Sequence, residues 1–194
     1  IALKTREEIE KAVRNMGYMQ AVVHLNEKTK NKKMHLSYNI VAGHPYLVKH
    51  IAYNIDDLQI NEIIESDSLH SYLYEGMPLD VVTLDRERQR ITKLLQNSGY
   101  YKFNKDFIVY QADTIRNSYL VDLTMKLLPY RRRKEDAPTK HQTFKIRNVN
   151  FVTDDNVINM GNDFIGYDSI QYKGLHFYFK NNYYLRPNTL FDFN

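Results

Sequence analysis

Cysteine is absent from the 194 residues, which excludes disulfides, thiolate metal sites and cysteine nucleophiles. No stretch approaches the roughly 18 consecutive apolar residues that a membrane-spanning helix needs. Three glycine motifs are missing as well: the phosphate-binding loop, the Gly-x-Ser-x-Gly nucleophile elbow and the G-x-x-G loop of KH-type RNA binders. No catalytic motif stands out, so the function has to be inferred from architecture.

The composition is that of a folded protein with modest charge. Hydrophobic residues make up 43% and can support a core, while charged residues make up 26%. The net charge of +4 is spread along the chain except for one basic run, Arg131 to Lys134. Such a run can attract phosphates or anionic lipid, although a solvated loop is the more common explanation.

The first 40 residues predict a helix followed by a hairpin. Thr5 and Glu8 have the spacing of a capping box, and Gly17 is placed to end the helix. Residues 19–25 and 34–40 alternate apolar and polar side chains, which predicts two antiparallel strands.

The connection between those strands, residues 26–33, is polar and rich in lysine and is predicted to be a turn. His24 and His35 lie on opposite arms of the hairpin and could meet across it. The spacing of the sequence places no third ligand near them, so no metal site is expected.

The middle of the chain predicts the order β-α-α-β-β. Gly43 and Pro45 punctuate the chain before it, since proline cannot join a ladder. The predicted elements are a strand at 46–55, one or two helices within 58–73, a helix from Thr83 to Gly99, and strands at 102–110 and 119–127.

Two segments of this unit recur elsewhere in the sequence. The helix-ending pair Gly17-Tyr18 returns 82 positions later as Gly99-Tyr100. The stretch "VKHIAY" at 48–53 returns 98 positions later as "IRNVNF". The second match predicts another first strand from Phe144 to Val152.

The repeat resembles the POTRA domain, the periplasmic module of BamA- and TamA-type outer-membrane assembly proteins. The matching residues are Gly76, Pro78, Asp80, Leu84, Arg88, Arg90, Ile91, Leu94, Leu95, Gly99, Tyr100 and Tyr101. Two regions depart from the pattern, an insertion at 130–142 and a long aromatic stretch at 153–182 that could hold an extra hairpin.

The resemblance implies an α+β fold of tandem β-α-α-β-β modules, each a three-stranded mixed sheet with two helices on one face. It divides the chain into residues 1–45, the back of one module, residues 46–140, a complete module, and residues 141–194, the front of another. The sequence is then expected to be a piece of a longer protein.

The resemblance also implies a non-enzymatic role in the periplasm without a cofactor. The expected partners are unfolded outer-membrane protein precursors and accessory assembly subunits, with a transmembrane β-barrel following in the parent chain. POTRA-type modules also serve polypeptide secretion and cell-division assembly, and those roles stay open.

A three-stranded sheet leaves a strand edge that can bind an extended peptide. By the resemblance, this edge is the strand after a Gly-Tyr pair, at residues 102–110 and again at 19–25. The predicted peptide-binding residues are Lys102, Phe103, Lys105, Phe107 and Val109. The predicted structural junctions are Gly17, Tyr18, Gly43, Pro45, Gly76, Gly99, Tyr100 and Tyr101.

One alternative function comes from a different class. In this alternative, the chain is a basic α/β protein that binds nucleic acid through the Arg131–Lys134 loop. The leading hypothesis involves no nucleic acid. The acidic pairs Asp56-Asp57 and Asp154-Asp155 are interpreted as turns and helix caps, because adjacent carboxylates point apart.

Overall fold

The computed structural model describes residues 1–131, 133, 135–152 and 167–180. The chain divides into two compact units, Ile1–Phe144 and Lys145–Asn194. The three-part division at residues 45 and 140 stays a prediction.

The first helix, α1, spans Ala2–Asn15 and is followed by Gly17 at φ 97°. The predicted capping box is wrong, because the helix starts three residues before Thr5. The Thr5 hydroxyl lies inside the helix and donates to the Ile1 carbonyl at 3.3 Å, one turn back. The predicted end of the helix is confirmed.

The hairpin consists of β1, Val22–Lys30, and β2, Lys33–Val41. Its strands are longer than predicted and its turn is shorter than the predicted 26–33. Asn31 and Lys32 form the whole turn with φ of 52° and 60°, the left-handed pair of a two-residue hairpin turn.

A complete module follows a link that contains Gly43 at φ 72°. Its elements are β3 (Leu47–Asn54), α2 (Leu58–Ser66), α3 (Val81–Asn97), β4 (Ile108–Thr114) and β5 (Leu120–Leu127). The sheet order is β3-β5-β4, with β3 parallel and β4 antiparallel to β5. The predicted β-α-α-β-β order and mixed sheet are confirmed.

The core of this module lies between one face of the sheet and the two helices. Ile60 of α2 and Ile91 of α3 are fully buried against it. On β5, Val121, Leu123 and Met125 alternate and are at most 1% exposed. Because alternate side chains share a face, both helices cover the same face of the sheet.

Aspartates begin both helices of the module. Asp57 accepts hydrogen bonds from the N–H groups of Gln59 and Ile60, at 3.2 and 3.4 Å. Asp80 does the same for α3 through Val82 and Thr83. The capping role predicted for the Asp56-Asp57 pair is confirmed at Asp57, whereas Asp154-Asp155 lies outside the described residues.

The second unit contains β6, Asn150–Val152, β7, Asp168–Tyr172, and β8, Leu175–Phe179. The order β6-β8-β7, with β6 parallel and β7 antiparallel to β8, repeats the arrangement of the first unit's three-stranded sheet. The predicted strand 144–152 is too long, because pairing with β8 begins only at Asn150. Phe177 is fully buried and stacks on Phe151 at 4.7 Å.

Candidate functional site

The outer edge of β4 is the candidate site, because no strand among the described residues pairs with its outward backbone groups. The Phe107 carbonyl accepts from the Leu128 N–H at 2.7 Å, and the Ile115 N–H donates to the Leu120 carbonyl at 2.9 Å. These bonds fix the odd-numbered residues as those that bond to β5. The groups that point to the open edge belong to Ile108, Tyr110, Ala112 and Thr114.

The opposite edge of the sheet, along β3, is closed in its first half. The Val48 N–H donates to the Met77 carbonyl at 2.9 Å, and the Gly76 N–H donates to the Val48 carbonyl at 2.7 Å. A bridge between Leu47 and Pro78 continues this pairing. A register shift after Val48 further breaks the edge, so β4 is the better template for an added strand.

Four of the five predicted edge residues lie outside β4, and their placement on a strand is wrong. The Asn104 side chain accepts from the Asp106 N–H at 2.9 Å and caps a short 3₁₀ turn at Lys105–Phe107. This turn delays the strand until Ile108.

The side chains of those residues have other contacts. Phe103 is 2% exposed and belongs to the core, and Phe107 packs beside it with ring centroids 5.6 Å apart. Lys102 lies over the ring of Phe144 at 5.0 Å, and Lys105 pairs with Asp85 at 2.9 Å.

Val109 does lie on β4, but its register directs its backbone groups toward β5. A role of any of the five in peptide binding stays a prediction.

Helix α3 forms the wall beside this edge. The Arg88 guanidinium lies over the Tyr110 ring, 5.5 Å from its centroid. Burial raises the pKa of Tyr110, so its phenol stays protonated. In the sequence, Arg88 stands out only as one residue of the repeat motif. Its position three residues before the buried Ile91, on the flank of the apolar stripe, was the available signal.

A buried ionic cluster holds the other side of α3. Glu87 is fully buried and accepts hydrogen bonds from the Ser71 hydroxyl and the Tyr72 N–H, both at 2.9 Å. Arg90 donates to Glu87 at 2.6 Å and also pairs with Asp67. These bonds fix the segment after α2 to α3, and so they hold in place the helix that borders the open edge.

The glycine junctions place the elements around the site. Gly99 has φ 97°, and its carbonyl accepts from the Phe144 N–H at 2.7 Å. Gly76, at φ 89°, lies in the segment that closes β3. Tyr100 is 3% exposed and packs in the core, whereas Tyr101 is 75% exposed.

The other predicted ligand groups are not brought together. His24 pairs with Asn39 and His35 with Lys28, so the two histidines are four rungs apart on the hairpin. Among the described residues, no group of three histidine, aspartate or glutamate side chains could hold a metal ion. In the same part of the chain, no helix has the length and apolarity that a membrane crossing requires.

The basic run is only partly within the described residues, since 132 and 134 lie outside them. The loop is closed by a bridge between Tyr130 and Thr139, and the Arg133 N–H donates to Asp136 at 3.0 Å. No observation at this loop favours nucleic acid.

Comparison with known proteins gives structural likenesses alone. No family model matches the chain, and no curated protein matches it. The chain is similar to BamA from Haemophilus ducreyi lacking POTRA domains 1–3, with 19% identity, 63% of this chain and 21% of that chain covered, and a TM-score of 0.40. It is also similar to POTRA3–5 of Haemophilus influenzae BamA, with 15% identity, coverage of 64% and 46%, and a TM-score of 0.37.

A third likeness is to POTRA1–3 of Omp85 from Anabaena, with 15% identity, coverage of 62% and 47%, and a TM-score of 0.34. The matched part thus spans less than half of each of these chains. The module is therefore characterised by the order of its elements and of its strands.

Proposed function

We propose that this chain is a non-enzymatic scaffold segment that binds extended polypeptides by strand addition at β4. In this proposal the segment acts in the periplasm, as part of a protein that assembles or translocates outer-membrane β-barrels. Its clients are unfolded outer-membrane protein precursors, and accessory assembly subunits dock on the same array of modules.

The observation that carries the proposal is the set of outward backbone groups on β4. A strand of seven residues offers the N–H and C=O groups of four of them to an incoming strand. Backbone bonds provide affinity with little dependence on sequence, which suits a receptor for many different clients. The β3 edge has no comparable free stretch in its first half.

The test is a titration of the 15N-labelled chain with an extended peptide of seven residues, followed by NMR. We expect the largest amide shifts at Ile108, Tyr110, Ala112 and Thr114, and smaller shifts at the odd-numbered residues between them. Shifts confined to the outer faces of α2 and α3 would show that peptides bind elsewhere.

A matched pair of variants at Ala112 distinguishes backbone pairing at the edge from contacts made by the side chain. Ala112→Pro removes an outward N–H at an edge position, where proline is tolerated, whereas Ala112→Val keeps it. We expect the proline variant to lose peptide binding and the valine variant to retain it. Equal binding by both variants would contradict strand addition at this edge.

A further inference from the structure

The wall of the β4 edge carries three polar atoms that have no partner. The Nε of Arg88, the Oγ1 of Thr92 and the hydroxyl of Tyr110 are buried, and none forms a hydrogen bond in the structure as described. Arg88 and Thr92 are one turn apart on α3, and so they share a face. Buried polar groups are normally paired, so an unpaired guanidinium nitrogen beside Tyr110 of β4 indicates a site for a polar ligand.

Arg88 also lacks a carboxylate partner. Within the described ranges, no aspartate or glutamate oxygen lies at ion-pair distance from its guanidinium, whereas Arg90, two residues further along α3, pairs with both Glu87 and Asp67. Asp85, the acidic residue one turn before Arg88, accepts from Lys105 at 2.9 Å and from Gln89 at 2.6 Å. A partly buried guanidinium on the wall of a strand-binding edge favours an anionic group on the strand that binds there.

In the first repeat, a carboxylate on the helix binds a backbone N–H of the strand that follows. Glu10 of α1, 82 positions before Thr92, accepts from the Val23 N–H of β1 at 3.3 Å. It also pairs with Arg14 at 2.6 Å. The corresponding position in the complete module is Thr92, whose hydroxyl has no hydrogen-bond partner among the described residues.

We propose that Arg88 binds an aspartate or glutamate side chain of the strand that adds to β4, at the residue opposite Tyr110. This inference rests on the proposed function and names the class of peptide that the site takes. Residues directly opposite in paired strands extend from the same face of the sheet. The residue opposite Tyr110 therefore faces α3 and reaches Arg88.

The experiment uses a set of seven-residue peptides with a constant background. Each peptide carries one glutamate at a different position and glutamine at the other scanned positions, and the reference peptide carries glutamine at all of them. Affinity is measured by fluorescence anisotropy, and the amides of β4 are followed by NMR. We expect one position of glutamate to bind about tenfold more tightly than the all-glutamine peptide, as is typical of a charge-assisted hydrogen bond.

Variants of α3 assign that preference. Arg88→Gln should abolish the preference, so that the glutamate and all-glutamine peptides bind with equal affinity, and Arg88→Lys should retain part of the preference. Arg86→Gln, which removes an exposed arginine of the same helix, should leave it unchanged. The NMR spectrum of each variant shows whether it is folded.

The possible outcomes separate the two proposals. If no peptide shifts the β4 amides, strand addition fails and this inference fails with it. If all peptides shift those amides with equal affinity, strand addition stands and the role of Arg88 is overturned. A gain that is the same at every glutamate position, or that survives Arg88→Gln, would also overturn it.

Discussion

Two regions of the chain are built alike but buried differently: α1 with β1 and β2, and α3 with β4 and β5. Both helices are followed by a glycine at φ 97°, 82 positions apart. After each glycine a helix side chain bonds to the backbone of the next segment, Arg14 to the Ala21 carbonyl and Gln96 to the Phe103 carbonyl. A glycine after the helix and a helix side chain that binds a backbone carbonyl therefore form the same junction twice.

The next segment is also attached in the same way at both junctions. The Tyr46 N–H donates to the Gly17 carbonyl at 2.9 Å, and the Phe144 N–H donates to the Gly99 carbonyl at 2.7 Å. Tyr46 and Phe144 are 98 positions apart, which is the offset of the second sequence repeat. Each glycine carbonyl thus binds the segment that precedes a later strand, β3 after Tyr46 and β6 after Phe144.

The difference lies in what covers the second strand of each hairpin. In the complete module, β3 pairs with β5 and two helices cover the apolar face. In the first region, no second helix among the described residues covers β2, and Met34, Leu36 and Ile40 are 42–62% exposed. An alternating pattern predicts a strand with an apolar face, but burial depends on the neighbouring elements.

The largest expected effect comes from a matched pair of leucines. Leu123→Ala on β5 removes a side chain that is 1% exposed and should lower the free energy of unfolding by about 2–5 kcal/mol. Leu36→Ala on β2 removes one that is 42% exposed and should change it by roughly 0.5 kcal/mol at most. Urea denaturation measures both, and similar losses would mean that β2 is covered in solution.

The two helices also differ in burial, because α3 contains the fully buried Glu87 and α1 has no fully buried residue. Glu87→Gln leaves Arg90 without one of its anionic partners and should cost about 2 kcal/mol. Glu8→Gln on the exposed face of α1 is the control and should be nearly neutral. Denaturation at neutral pH compares the two, and a neutral Glu87→Gln would show that the cluster does not hold α3.

The glycine junctions separate backbone strain from close packing. A Cβ at Gly99 would lie 3.3 Å from the Phe144 carbonyl oxygen, whereas a Cβ at Gly76 would meet nothing within 4 Å. Both have positive φ, so alanine costs about 1 kcal/mol at either place through strain. We expect Gly99→Ala to cost about 1 kcal/mol more than Gly76→Ala, and Gly17→Ala to resemble Gly99→Ala, when unfolding is followed by circular dichroism.

Sequence patterns predicted the fold wherever a local rule determined the outcome. Glycine ended both helices, and alternation located β5. The rules failed where a side chain redirected the backbone: Asn104 caps a 3₁₀ turn and delays β4. They also failed at Asn31 and Lys32, which adopt positive φ without being glycine.

The candidate site was predictable only in outline. The resemblance identified the strand after Gly99 as the open edge, but which backbone groups face outward depends on the register with β5. Arg88 and Arg90 are the same residue type two positions apart. Arg88 lies over Tyr110 and has no carboxylate partner among the described residues, whereas Arg90 lies in a buried ion cluster. Only the position of neighbouring carboxylates distinguishes the two arginines.

The smallest effect concerns the helix starts, because α3 has a side-chain cap and α1 has none. Partial burial would raise the pKa of Asp80, but hydrogen bonds from the Thr83 hydroxyl and from the N–H groups of Val82 and Thr83 outweigh it and hold the pKa below its ordinary value. The ionised cap therefore stabilises the fold above the ordinary aspartate pKa, and this contribution is lost as the pH falls through the lowered pKa. Asp80→Ala should cost about 1 kcal/mol at pH 7.

That cost should shrink as the pH falls below the ordinary aspartate pKa, because the unfolded chain then binds a proton that the capped aspartate does not. Asp80→Asn keeps an acceptor for the cap and removes the titration, so its stability relative to wild type should rise as the pH falls. Urea denaturation at several pH values between 7 and 3 measures both trends. If the cost of Asp80→Ala were constant over that range, the cap would act through its shape and its neutral hydrogen bonds, and the difference between the starts of α1 and α3 would not depend on charge.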